Sequence, residues 1–219
     1  MMKLLRIDAS ARAADQKNPS YRSISRQMAD HLISQLPQQA VHIIRRDVGK
    51  HPPSAISEFW IEACFTADEQ RSYSHQQALL ESDTLIAELA ASSVIVLATP
   101  MYNYGMPSAL KAWVDQVIRI NKTFDFDATR GDSPLRPLLR RKTLILCWSC
   151  GEYGLAPGEH KAAMNHLVPH LKTVAHYLGV ERFIDVQIQG QEFADERHQQ
   201  SREQAFSRLS ELAQQLTAQ

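Results

Sequence analysis

The sequence predicts an α/β fold in which five parallel strands are wrapped by helices on both faces. Two observations carry this. Short runs of branched apolar residues alternate along the chain with longer segments whose apolar residues recur at helical spacing. The run Ser93-Val-Ile-Val-Leu-Ala98 also ends abruptly in a polar loop, Thr99 to Ser108, before the helical pattern of Ala109 to Ile118, as a buried parallel strand does when it feeds a helix. With 219 residues, 44% of them hydrophobic, the chain can bury a full core and reads as one domain spanning 1–219.

The elements follow in order. Lys3 to Asp8 is the first strand and Ser20 to Leu36 the first helix, with Ser20 or Ser23 placed to cap it. Val41 to Val48 is the second strand, loosened by His42, Arg45 and Arg46 into a more exposed edge. Lys50 to Thr66 is an excursion longer than a simple connection requires, with no sheet element expected in it. Its aromatic cluster, Phe59, Trp60 and Phe65, reads either as an exposed interface or ligand lid, or as a satellite core under its own loop. A helix over Ala67 to Ala91 leads to the third strand, Ser93 to Ala98, and its loop to a helix over Pro107 to Ile120. After a second excursion, Asp125 to Arg141, come a strand from Thr143 to Ser149, a helix from Pro169 to Leu178 closed by Gly179, and a strand from Phe183 to Gln189. The last helix, Gln200 to Leu216, carries Ala205, Leu209, Leu212 and Leu216 as a stripe for the sheet.

Charge and composition exclude several classes. Lys+Arg and Asp+Glu both number 24, so nothing provides an electrostatic grip on nucleic acid or on an anionic membrane. The opening apolar run is broken by Asp8 and is too short for a secretory signal, and no segment is apolar for long enough to span a bilayer. The expected location is the cytoplasm. Three cysteines, Cys64, Cys147 and Cys150, make no disulfide framework. Cys147 and Cys150 form a C-x-x-C with His166 and His170 downstream, but Cys147 belongs to an apolar strand and Pro169 interrupts the helix that a zinc finger would need. Structural thiols are the expectation, with no metal.

Three loops carry the chemistry. After the first strand, Ser10, Arg12, Ser23 and Ser25 gather donors at a helix N-terminus, where free amides and the dipole favour an anion such as a phosphate. After the third strand, Pro100-Met-Tyr-Asn-Tyr104 offers two phenols, a thioether and an amide, which suit a flat heteroaromatic ring. In open α/β sheets ligands bind beyond the carboxyl ends of the strands, where both loops lie. No Gly-x-Gly-x-x-Gly or Walker pattern accompanies them.

Pro100-Met-Tyr-Asn-Tyr104, followed by Ala109-Leu-Lys-Ala-Trp113, Asp115 and Lys122-Thr-Phe124, closely resembles the FMN-dependent NAD(P)H azoreductases, or quinone reductases. Ile7-Asp-Ala-Ser-Ala-Arg12 and Ser23-Ile-Ser-Arg26 look like that family's phosphate-side motif with a longer loop between. The resemblance extends to about Gly190 and implies a flavodoxin-like fold with strand order 2-1-3-4-5, which places a flavin at the switch between the first and third strands. It implies FMN phosphate bound by Ser10, Arg12, Ser23, Ile24 and Ser25. The isoalloxazine would then lie against Met101 and Tyr102, with Asn103 and the amides near Tyr104 and Gly105 on its polar edge. A third contact falls at Ser149, Cys150 and Gly151, where the family usually has Ser, Arg and two glycines; Cys150 stands where the Arg would fall, Glu152 adds a negative charge, and Tyr153 either stacks on substrate or closes the loop.

The implied activity is a ping-pong oxidoreduction in which NADH or NADPH reduces FMN and a quinone or azo compound reoxidises it. The flavin supplies the chemistry, so no side chain is assigned as a catalytic acid or base. A homodimer with sites at its interface is also implied. The alternative is a non-catalytic flavodoxin-like electron-transfer protein, which would commonly carry an acidic docking surface that this neutral chain lacks.

Overall fold

A computed structural model describes residues 1–217. Its main sheet consists of β1 (Met2–Asp8), β2 (Val41–Asp47), β3 (Val94–Pro100), β6 (Lys142–Ser149) and β7 (Val180–Ile188). All neighbours are parallel in the spatial order β2-β1-β3-β6-β7, so the strands of this sheet, counted along the chain, run 2-1-3-4-5. A separate antiparallel pair, β4 (Phe124–Phe126) and β5 (Leu135–Pro137), occupies the second excursion.

Successive strand residues point to opposite faces, and the sequence is apolar on both. Leu5, Ile7, Ile95, Leu97, Leu144, Leu146 and Trp148 face α3 (Tyr73–Ala91), α4 (Ser108–Val117) and α5 (Val168–Ala175). Leu4, Val94, Val96, Ala98, Ile145 and Cys147 face α1 (Ile24–Ser34) and α6 (Glu196–Thr217). Cys150 packs in the first of these cores and Cys147 in the second. The two thiols of the C-x-x-C therefore lie on opposite sides of the sheet and cannot share a metal ion.

Several boundaries differ from the sequence reading, each for a local reason. Pro19 opens a short 3-10 turn, and Ser23 caps the following helix by accepting the Arg26 amide at 3.3 Å, so α1 begins at Ile24 rather than Ser20. Ser72 caps α3 in the same way, which starts that helix at Tyr73 rather than Ala67. The first excursion contains a full helix, α2 (Glu58–Phe65), capped by Ser57. Within it Trp60 is buried with Ala63, Cys64 and Leu79, and its indole N–H donates to Gln116 Oε1 at 3.0 Å. Trp60 is therefore satellite core, while Phe59 and Phe65 are exposed. β7 begins three residues before Phe183, and α6 begins at Glu196 rather than Gln200.

Candidate active site

The loop leaving β1 is held from beneath by charge. Arg26 Nη2 donates to the Ser10 carbonyl at 2.7 Å, and the same guanidinium grips Asp47 at 2.6 and 2.7 Å. It also lies 3.7 Å from Asp8, whose carboxylate takes two bonds from Arg6 at 2.7 and 3.0 Å. Burial alone would push the Asp47 carboxyl up, but the bonds from Arg26 and from the Lys50 amide hold it below the ordinary carboxylate range. Buried ion pairs of this kind specify geometry more than they stabilise. Here the geometry fixed is the direction of the Ser10 carbonyl, and so the path of the loop.

Above this base a cavity of about 220 Å³ opens at the carboxyl ends of β1, β3 and β6. Ser10, Arg12, Ser23 and Ile24 form one end of its wall. Met101, Tyr102, Ser149, Cys150 and Gly151 form the other. Ser10 Oγ accepts the Arg12 amide at 3.2 Å, leaving its hydroxyl hydrogen free. The amides of Ile24 and Ser25, in the first turn of α1, donate to no group among the described residues. The Ser25 side chain is fully buried with its Oγ 3.3 Å from Ser23 Oγ, so it supports the wall from behind and is not part of it.

Asn103 and Tyr104 line an adjoining cavity of about 260 Å³, which shares Met101, Cys150, Gly151 and Glu192 with the first. They form the tip of a tight turn in which Tyr102 and Gly105 exchange amide–carbonyl bonds of 3.1 and 3.0 Å. Asn103 and Tyr104 have φ of 48° and 63°, the left-handed pair of a two-residue hairpin turn. Asn tolerates that region; Tyr is strained there. Tyr104 is held by its ends: its hydroxyl donates to Glu152 Oε1 at 2.8 Å and its carbonyl accepts the His166 amide at 2.9 Å. The Gly105 amide is consumed within the turn and is not free to meet a ligand, contrary to the sequence reading.

The third loop is unusual in its charge. Lys161 Nζ bonds Glu152 Oε2 at 2.5 Å, and this contact, followed by that of Tyr104, holds the Glu152 carboxyl below its usual range. The negative charge expected near the site is thus tied to a cation. Cys150 is buried, which pushes its thiol up to about 12, so it stays protonated and apolar. Tyr153 turns away from both cavities, donating to Asp195 beneath the Arg197 guanidinium, and closes the loop against the segment after β7. That segment contributes Gln191 and Glu192 to the first cavity, and Arg22 and Pro100 complete it. Pro100 belongs to the ring loop read from the sequence; the sequence reading missed the other three, although the rule that ligands sit beyond strand carboxyl ends pointed to residues 191 and 192.

The sequence matches the family described as flavodoxin-like fold over residues 2–213. It is 47% identical over 218 residues to an FMN-dependent NADH:quinone oxidoreductase 2 of Colwellia psychrerythraea, covering 99% of this chain and 100% of that one. The chain belongs to the flavodoxin-like family that includes the FMN-dependent NADH:quinone oxidoreductases. A Pseudomonas aeruginosa member, an FMN-dependent NAD(P)H:quinone oxidoreductase 1, is 37% identical, with 97% of this chain and 99% of that one covered. The fold extends further: a Bacillus anthracis FMN-dependent NADH-azoreductase in complex with FMN superposes with a TM-score of 0.83 at 18% identity, covering 99% of each chain. Within this chain Cys150 and Glu152 are both internally satisfied, the thiol by the Glu152 carbonyl at 3.3 Å and the carboxylate by Lys161 and Tyr104.

Proposed function

We propose that this chain is an FMN-dependent oxidoreductase that passes electrons from NAD(P)H to quinones or azo compounds. The observation that carries the reading is the convergence of the β1, β3 and β6 loops on one cavity with anion donors at one end and an apolar, hydrogen-bonding wall at the other. FMN has that same division between phosphate and ring. The donor set fits the phosphate: the Ser10 and Ser23 hydroxyls, Arg12, and the unpartnered Ile24 and Ser25 amides at the start of an 11-residue helix. Met101 and Tyr102 suit the ring, and Gly151 leaves room where a Cβ would lie 2.7 Å from Glu192 Cγ.

When bound, FMN supplies two-electron transfer between the nicotinamide and the acceptor. The chain's residues supply binding and placement. Ser10, fixed through Arg26, holds the anionic end; the Asn103 side chain and the Asn103 and Tyr104 amides, which take no partner among the described residues, face the adjoining cavity as donors. The Lys161–Glu152–Tyr104 chain keeps that turn in its left-handed form. No side chain is given the role of catalytic acid.

Purified protein should be yellow and should bleach on addition of NADH or NADPH, with colour restored by a quinone. A protein that neither retains nor binds added FMN would overturn the reading. Ser10→Ala should weaken FMN binding to the apoprotein by roughly 1.5–3 kcal/mol, the worth of a charge-assisted bond, without unfolding it.

The active form is a homodimer on this reading. Supporting it, Phe59, Phe65 and Tyr73 leave 42%, 74% and 75% of their surfaces exposed on and beside α2, a concentration of aromatic area that an interface would cover. No helix among the described residues is long and apolar enough to cross a membrane. With three buried thiols and no disulfide among the described residues, the chain suits the cytoplasm.

A further inference from the structure

A third cavity, of about 400 Å³, adjoins the anionic end of the first and shares Arg22, Ile24 and Gln191 with it. Its outer wall is α6, which presents His198, Gln199 and Arg202. No acidic side chain lines it. Elsewhere in the molecule the buried guanidiniums have counter-charges: Arg6 holds Asp8, Arg26 holds Asp47 and Arg119 holds Asp83. Arg22 and Arg202 are different. Neither forms an ion pair with any described residue, although both are half-buried. Arg22 uses only its Nε, on the Gln16 carbonyl at 2.8 Å. Arg202 reaches Gln27 Oε1 at 3.4 Å and lies 5.4 Å over the Phe206 ring. With no anion to compensate it, partial burial pulls the Arg202 guanidinium below its usual value.

We propose that this cavity is a subsite for a second phosphoryl group, with Arg22 shared between the two cavities and Arg202 dedicated to the outer one. Two half-desolvated guanidiniums facing one concave space without a carboxylate match an anionic phosphoryl group, which accepts their paired N–H groups. Contiguity with the first cavity places that group next to the flavin phosphate, so the inference rests on the flavin reading above. Two sources carry such a group: the distal phosphate of a flavin dinucleotide occupying both cavities, and the 2′-phosphate of NADPH bound beside FMN.

The test compares the wild type with Arg202→Gln. Apoprotein is titrated with FMN and with FAD by calorimetry, and kcat/KM of the FMN-loaded enzyme is measured for NADPH and for NADH. The variant should leave the FMN Kd within about twofold. It should lower, by about tenfold, either the affinity for FAD relative to FMN or the NADPH-to-NADH ratio of kcat/KM, the first identifying the dinucleotide and the second the nicotinamide donor. Gln199→Glu, which puts a carboxylate into the same cavity from an exposed position, should reproduce the loss if Arg202→Gln fails to fold. Equal effects on FMN and FAD with an unchanged NADPH-to-NADH ratio, or no effect on any of them, overturn the subsite. Failure of wild-type apoprotein to bind FMN is a different result, and it overturns the flavin reading instead.

Discussion

Gly49 has no room for a methyl group: a Cβ there would lie 2.1 Å from the Ser10 carbonyl oxygen. Gly49→Ala should push the loop after β1 off its Arg26 anchor, costing about 1–3 kcal/mol of stability and weakening FMN binding in calorimetry; unchanged values in both would show the loop to be pliable. The three thiols give a second prediction at this scale. Burial pushes Cys64 up to about 11 and Cys147 and Cys150 to about 12, so a thiol reagent at pH 8 should label none of them until denaturant is added. Rapid labelling of Cys150 in the native protein would contradict its packing. Asp195 supplies a pH test. Bonds from Tyr153, the His198 amide and Arg197 lower its carboxyl to about 2, so its hold on the loop after β7 is complete above the unfolded value near 4 and is lost as pH falls toward 2. Amide exchange at residues 190–195 should accelerate in that window while the β3 amides stay protected.

Among the elements, α2 is the one whose role changed. Its sequence, Glu58-Phe-Trp-Ile-Glu-Ala-Cys-Phe65, puts apolar residues on every side, so periodicity could not say which face was inward. Burial of Trp60 and its bond to Gln116 make it a clamp between α2 and α4. Trp60→Ala should therefore cost about 3–5 kcal/mol in denaturant unfolding, the range for losing a buried Trp. An unchanged midpoint would return α2 to the status of a loose lid. The sheet strands were legible because β3 and β6 are apolar on both faces and the others keep short runs of branched apolar residues, and their order follows from the fold that the Tyr-Asn-Tyr loop resembles. The helix starts were not, because they depend on which of several Ser residues caps: Ser23 rather than Ser20, and Ser72 well after Ala67. In the site, the residues directly beyond strand ends, Ser10, Met101, Tyr102 and Gly151, were readable as neighbours. Ser25 was not, since a helical turn of 3.6 residues puts it behind Ser23 and not beside it. Glu192 follows the end of β7 and could have been read by the same rule, whereas Arg22 reaches the cavity through tertiary packing that no local pattern encodes.

At the scale of the whole molecule, the exposed aromatic residues around α2 make assembly testable. Phe65→Glu changes a side chain that is 74% exposed in the single chain, so it should leave the fold intact. If α2 lies in a dimer interface, light scattering at micromolar concentration should give a dimer mass for the wild type and a monomer mass for the variant, because an unpaired carboxylate cannot be buried cheaply. A monomeric wild type with full quinone reductase activity would remove the dimer and leave the flavin assignment standing.

The cavity draws its walls from the ends of β1, β3 and β6, which meet through the registers Asp8↔Ala98 and Pro100↔Ser149. The residues that face the two ends of the ligand lie as far apart in the chain as Ser10 and Gly151. Each of those parallel pairings closes a long loop, so the site comes into being late, when the sheet is complete. A newly made chain therefore gains nothing from the cofactor until folding is nearly done, and then gains everything at once. At a free FMN concentration a hundred times Kd, the native state is favoured by about 2.7 kcal/mol over every partly assembled form. In a cell, the supply of flavin would then set how many copies of this protein survive proteolysis as well as how many are active.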